Sequence, residues 1–422
     1  MRIEPVSICR ANRRTLARSI QRAIRLLGDP DEILPKTGDV VLIKPNLGWD
    51  KDWRTGTTTS PHFVQAMIDL LGPRRPSKII VGESPSIGIR AKDVFHSTGY
   101  DQLRGKGLEI RDLGVDELSE VRLPRGTLLR KVLLPASYLA ADYFINAPVV
   151  KTHVNTCVTL STKNLKGLLP SSEKKRFHLL GLDRCIAELS SIIEHDLILV
   201  DGQIGQEGMG PISGSPVKLG VVIAGFNPLA VDATCIRVMK IPFTRVKHLR
   251  IARKLGLGPA SKGIRLAGDP LPSVSRRFQT PPRDFSKAYE GIRIVAGDPC
   301  SGCIGSLTVS LERMLNAGEL EILKSKIGCV NIAIGPRARV PEEPEGPWVI
   351  VGRCLWQLKS RGLFIPGCSP QGWFVRDVLR SMIGLEPLFV DKSLLMGCAE
   401  SSATRTGNDP FHTGTVGSRS RE

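Results

Sequence analysis

Aromatic residues are scarce in this sequence: 4 Tyr, 12 Phe and 5 Trp make up 5% of 422 residues. That is a thin supply for a surface that stacks bases. Neither the Cys/His spacing of a zinc finger nor an aromatic RNP-like strand occurs. No run of eighteen apolar residues is present, so a membrane-spanning helix is not expected. The first thirty residues hold no apolar core of an export signal. A cytoplasmic protein with its 10 Cys mostly reduced is therefore expected. GxGxxG and GxxxxGK[ST] are both missing, so no nucleotide site is inferred.

Cations are abundant. Lys and Arg number 59 against 41 Asp and Glu, giving a net charge of +18 and a pI near 9.7. Such a balance favours anionic partners, either a nucleic acid, an acidic surface or a small carboxylate or phosphate. The shortage of aromatics argues against nucleic acid. Hydrophobic residues make up 41%, enough for a substantial core, and the length suggests more than one domain.

The chain divides by composition. Residues 1–37 contain RANRRTLARSIQRAIRLLG, which reads as a basic amphipathic helix. Residues 38–268 alternate apolar strand-like runs, DVVLIKPNL, KIIVGES, DYFINAPVVK, DLILVDG and KLGVVIAG, with helical segments such as SPHFVQAMIDLL. Such alternation predicts an α/β fold with a mostly parallel, doubly wound sheet. Residues 269–287 are rich in proline and basic residues and read as a linker. A smaller Cys-containing α/β segment is expected over 288–395, with EEPEG as a loop, and a disordered polar tail over 396–422.

In doubly wound sheets ligands gather at the carboxyl ends of the strands, and here those ends are polar: Lys44 and Asn46, Glu83, Lys151 and His153, Asp201. Lys44/Asn46 and Lys151/His153 are each spaced by two, so in an extended chain each pair shares a face. Lys163 and Lys166 flank Asn164 and fall on one side of a helical turn, and Gly167 allows close backbone approach. Lysines attract phosphate or carboxylate and asparagine amides orient it. Lys44, Asn46, Lys151, Lys163, Asn164 and Lys166 are thus the anion-binding candidates, with a solvated basic loop as the plain alternative. SSEKKRFH nearby reads as solvated. His153, kept neutral by Lys151, and His178, Glu83 and Asp201 are the candidates for proton transfer. The Gly-rich DGQIGQEGMGPISGSP reads as a loop whose amides face a ligand or as an irregular turn. Asp232 reads as structural, early in a helix.

Cys300 and Cys303 form a CxxC, and Cys354 and Cys368 stand in Gly-containing loops further on, with Cys329 in reserve. Four thiolates from separate loops can hold a [4Fe–4S] cluster, or zinc as the alternative.

VLIKPN, GES, VKTH, STKNLKG, GLDRCIAEL, VDGQIGQEGMGP and IAGFNPLAVDA, in this order, resemble the domain-of-unknown-function family numbered 362 over roughly residues 38–255. The resemblance implies a prokaryotic α/β domain, often joined to ferredoxin segments, and it adds weight to the lysine, asparagine and His153 positions above. The CxxCxxCxxxCP run of ferredoxin-fused members is missing here.

The expected function is an iron–sulfur protein with redox or lyase-type activity on a small anionic substrate, served by an electron-transfer partner. A non-catalytic basic scaffold for acidic partners or nucleic acid is the rival. The sequence leaves the oligomeric state open.

Overall fold

The computed structural model describes residues 3–123, 128–281 and 289–389. They form two compact units. The first holds the residues up to 281 together with Cys300–Gly305, and the second holds the rest.

The sheet of the first unit takes β1 (Glu4–Arg10), β2 (Val40–Pro45), β3 (Lys78–Glu83), β4 (Leu108–Asp112), β7 (Tyr143–Ala147), β10 (Leu197–Glu207), β11 (Ser215–Gly225) and β12 (Ile264–Gly268). Their order is β12-β1-β11-β10-β7-β2-β3-β4. β10, β7, β2, β3 and β4 run parallel, whereas β11 is antiparallel to both β10 and β1. β8 (Val149–His153) follows β7 directly, pairs with β10 and carries the short β9 (Cys157–Val158). A separate ribbon joins β5 (Leu118–Arg122) to β6 (Lys131–Pro135). The expected α/β class and mostly parallel sheet are therefore observed.

Both faces of the sheet are covered. Val41, Ile43, Ile79 and Val81 point to one apolar cluster with the helices Leu16–Arg25 and Pro61–Leu71. The alternate residues Leu42 and Ile80 point to another with Phe177 and Ile186. Continuous Val/Ile/Leu runs are what strands buried on two faces require. Pro61 opens its helix, where its missing N–H costs nothing.

Three sequence expectations change. Residues 1–37 are not simply a helix, because Glu4–Arg10 is an inner strand hydrogen-bonded between β11 and β12, partners more than two hundred residues away. Asp201–Glu207 is not a loop. It continues β10 past a register shift at Gly202/Ile204, since its glycines still pair with β11. Residues 269–281 are not a free linker, because Val274 and Phe278 are buried in the core beside Ile236 and Met239. Residues 282–288 of that stretch, and the expected tail at 396–422, lie outside the described residues.

The second unit has a parallel sheet in the order β13-β14-β15-β16, from Ile292–Ala296, Val330–Ile334, Trp348–Val351 and Leu363–Ile365. Ala333, Ile350, Leu355 and Phe364 form its apolar centre. Glu319 is buried there between Arg376 and Arg380.

Candidate functional site

Lys44 is the next-to-last residue of β2 and Glu83 ends the neighbouring β3, so parallel pairing delivers opposite charges to one place. Lys44 Nζ donates to Glu83 Oε2 at 2.9 Å with both side chains removed from solvent. The same oxygen accepts Leu47 N–H at 2.9 Å. Glu83 is thus committed to holding Lys44 and the β2 exit, and its position supports a structural role over proton transfer.

Asn164, at the end of the helix Leu160–Asn164, ties this pair to the rest. Its Oδ1 accepts from Asn46 Nδ2 at 2.8 Å and from Lys44 Nζ at 3.3 Å, while its Nδ2 donates to Asn146 Oδ1 at 2.8 Å. Asn46 Oδ1 in turn accepts from Lys151 Nζ at 2.6 Å. An unbroken chain therefore runs Glu83–Lys44–Asn164–Asn46–Lys151. Asp232 anchors the helix from below. Its buried carboxylate accepts the backbone N–H and the hydroxyl of both Ser161 and Thr162, which fits the structural reading of this residue.

Lys163 and Lys166 project from this helix and the turn after it. Lys163 is partly exposed and has no hydrogen-bond or ion-pair partner among the described residues. Burial, followed by repulsion from Lys166 and Lys151, holds its ammonium well below the usual lysine range. Burial also lowers Lys166 to about 8 and Lys151 to about 7. His153 feels Lys163, Lys151 and Lys166 besides its own burial, so its imidazole is neutral, and its Nδ1 accepts Asn155 N–H at 3.1 Å. His178 is likewise pushed down to about 2, by burial first and then by Lys166 and Lys163. Its Nε2 meets Lys166 Nζ at 3.2 Å and its Nδ1 meets Ser301 Oγ at 2.7 Å. An ammonium donates, so Nε2 is the accepting nitrogen and Nδ1 carries the proton toward Ser301.

Asp201 stands apart from these amines. It accepts Ser60 N–H and Gln203 N–H, fixing the start of the helix Pro61–Leu71. Burial raises its carboxyl to about 6.

Sequence reasoning missed several participants. Lys174, in the stretch read as solvated, is buried, donates at 2.6 Å to Ser84 O, Ser84 Oγ and Pro85 O, and is lowered by burial to about 7. Thr57 supplies a backbone carbonyl to Lys151 and Thr59 a hydroxyl to Asn46 N–H. The TTTS run before the helix was the one available signal for these, since buried hydroxyls at a strand exit need partners. Asn146 carried no such signal.

Residues 41–237 match the family model described as "Domain of unknown function (DUF362)". This segment is a DUF362 domain. Every lysine, asparagine and histidine of the cluster above, Lys44 to His178, lies inside it. The chain is 28% identical over 254 residues to thylakoid-associated protein sll1697 of Synechocystis sp., across 58% of this chain and 77% of the relative. Among solved structures, the lactate racemase apoprotein of Thermoanaerobacterium thermosaccharolyticum aligns over 91% of this chain and 81% of its own, at 13% identity and a TM-score of 0.38. At that level of likeness nothing of its chemistry transfers.

Outside the DUF362 domain, Cys300 and Cys303 belong to the first unit, whereas Cys354 and Cys368 belong to the second and are exposed. Among the described residues no group of three or more His, Cys, Asp or Glu side chains could hold a metal ion. Cys300 Sγ is hydrogen-bonded by Cys303 and by backbone N–H groups at the start of the helix Ser301–Asn316, and these bonds push its thiol down to about 5. No helix among the described residues is long and apolar enough to cross a membrane.

Proposed function

We propose that the DUF362 domain is an enzyme-like module that binds a small carboxylate or phosphate at the carboxyl ends of β2, β3 and β8 and transfers a proton to or from it. The observation that carries this reading is Lys163: a partly exposed amine with no hydrogen-bond or ion-pair partner among the described residues, facing the field of Lys166 and Lys151. Without a ligand, like charges and desolvation drive protons off these lysines. An anion between Lys163 and Lys166 reverses that penalty, as opposite charge within contact distance favours the ammonium form. Lys151, fixed by Asn46 and Thr57, is a preorganised donor that needs no rearrangement on binding, while Lys44 is already neutralised by Glu83.

His153 supports the proton-transfer part of the proposal. It is a neutral imidazole beside the cations, and Nδ1, once it releases Asn155 N–H, is the nitrogen that takes a proton from a bound ligand and returns it. Lyase-type chemistry next to a carboxylate fits this arrangement, since the lysines offset the negative charge that develops as the proton leaves. The test is a screen of carboxylates and phosphates by thermal unfolding with wild type and Lys163→Ala. Stabilisation by members of one chemical class in wild type, lost in the variant, supports the proposal. No stabilisation by any of them counts against it.

A further inference from the structure

Among the described residues of the first unit, Cys300 and Cys303 are the cysteines that stand three apart at a helix start, and the lysine site does not use them. Cys300 is partly exposed and Cys303 is buried. The spacing of three sets Cys303 one helical turn after Cys300 at the start of the helix Ser301–Asn316, where the Cys303 side chain and the N–H groups of Gly302 and Cys303 favour the Cys300 thiolate. The turn is pinned from outside. Ser301 O accepts Asn155 Nδ2 at 2.9 Å, and Ser301 Oγ meets His178 Nδ1 at 2.7 Å. Through His178 and Asn155 it adjoins Lys166 and His153. The remaining described cysteines lack such a neighbour in the sequence: Cys9, Cys185 and Cys235 are buried singly, Cys157 is partly buried, and Cys329, Cys354 and Cys368 are exposed.

We propose that Cys300 and Cys303 form a redox-active dithiol at the border of the lysine site, exchanging with low-molecular-weight disulfides. Cys300 is the attacking thiol, being the exposed partner at the positive end of a sixteen-residue helix. Its thiolate attacks one sulfur of a disulfide R–S–S–R, the S–S bond breaks, and R–S⁻ leaves. Cys303 then gives its proton to that departing thiolate and attacks Cys300 Sγ, expelling the second R–S⁻. The protein loses two electrons and one disulfide is reduced to two thiols. This pair is an alternative to the cluster expected from the sequence, because a thiol bound to iron cannot form the disulfide.

The experiment uses the full chain, purified anaerobically, reduced, and exposed to glutathione disulfide, followed by peptide mapping. The expected result is a Cys300–Cys303 disulfide in wild type, a mixed disulfide of glutathione with Cys300 in Cys303→Ser, and neither in Cys300→Ser. The exposed Cys354 and Cys368 serve as internal controls for unselective oxidation. Equal reaction at those controls with no Cys300–Cys303 link overturns the proposal. So does stoichiometric iron and sulfide bound through Cys300 and Cys303 in the isolated protein. No anion enters the readout, so it succeeds or fails independently of the lysine site.

Discussion

Gly167 packs its backbone directly onto the Lys44–Glu83 pair: a Cβ at position 167 would lie 1.8 Å from Glu83 Oε1 and 2.4 Å from Lys44 Nζ. Its carbonyl also accepts Ser84 N–H at 2.8 Å, so the turn cannot back away without losing that bond. Gly167→Ala is expected to destabilise the protein by about 1–3 kcal/mol, the usual cost of overpacking a well-filled interior. Urea unfolding measures it. A midpoint equal to wild type would show that the pair is not held as described.

Glu83 without Lys44 would be an uncompensated buried charge. Lys44→Met should therefore cost about 3–5 kcal/mol, whereas Lys44→Met combined with Glu83→Leu should recover part of that loss. A double-mutant cycle reads the coupling. Additive losses would mean that the two side chains do not interact.

Stability should rise with pH on the alkaline side of neutrality. Lys151 and Lys174 titrate near 7 and Lys166 near 8 in the folded protein, against 10.5 for a free lysine. Within that window the unfolded chain holds more protons, so raising the pH favours the folded state. The contribution is complete above 10.5 and is lost as pH falls through about 8 and then 7. Asp201, raised from 3.8 to about 6, has the opposite slope between those values, with stability lost as pH rises. Denaturation midpoints from mildly acidic to alkaline pH check both signs, and Lys174→Met should flatten the alkaline rise.

Anion binding should bring protons with it. A ligand that restores the ammonium form of Lys163 and Lys166 draws protons from the buffer at mildly alkaline pH, and its affinity falls as pH rises. Calorimetry in buffers of different ionisation enthalpy measures that uptake. Binding that releases protons, or exchanges none, contradicts the electrostatic account.

Much of the site was readable because it depends on short spacings. Lys44 and Asn46, Lys151 and His153, and the Lys163–Lys166 turn are local patterns at the ends of apolar runs, and the parallel pairing of β7 with β2 and of β2 with β3, with β8 following β7 directly, brings them together. What could not be read depends on distant partners. Thr57 and Lys151 are 94 residues apart, and Lys174 reaches Ser84 across 90. Lys174 looked solvated because its neighbours Lys175 and Ser172 are, while its own position on the helix Ser171–Leu180 turns inward with Phe177. Glu4–Arg10 was hidden in the same way, since only pairing with β11 and β12 makes that segment a strand. The glycines of 201–207 suggested a loop, yet strand pairing needs only backbone groups, and at Gly202 the Val221 side chain occupies the space a Cβ would take.

Lys163 and Lys166 are proposed to hold the anion between them. The most direct measurement is calorimetric titration of wild type, Lys163→Ala and Lys166→Ala with inorganic phosphate and with oxalate, each variant first shown by circular dichroism to keep its fold. The account predicts saturable binding of at least one probe to wild type, weakened tenfold or more in each variant, which corresponds to about 1.4 kcal/mol. Equal affinity in all three folded proteins would contradict it.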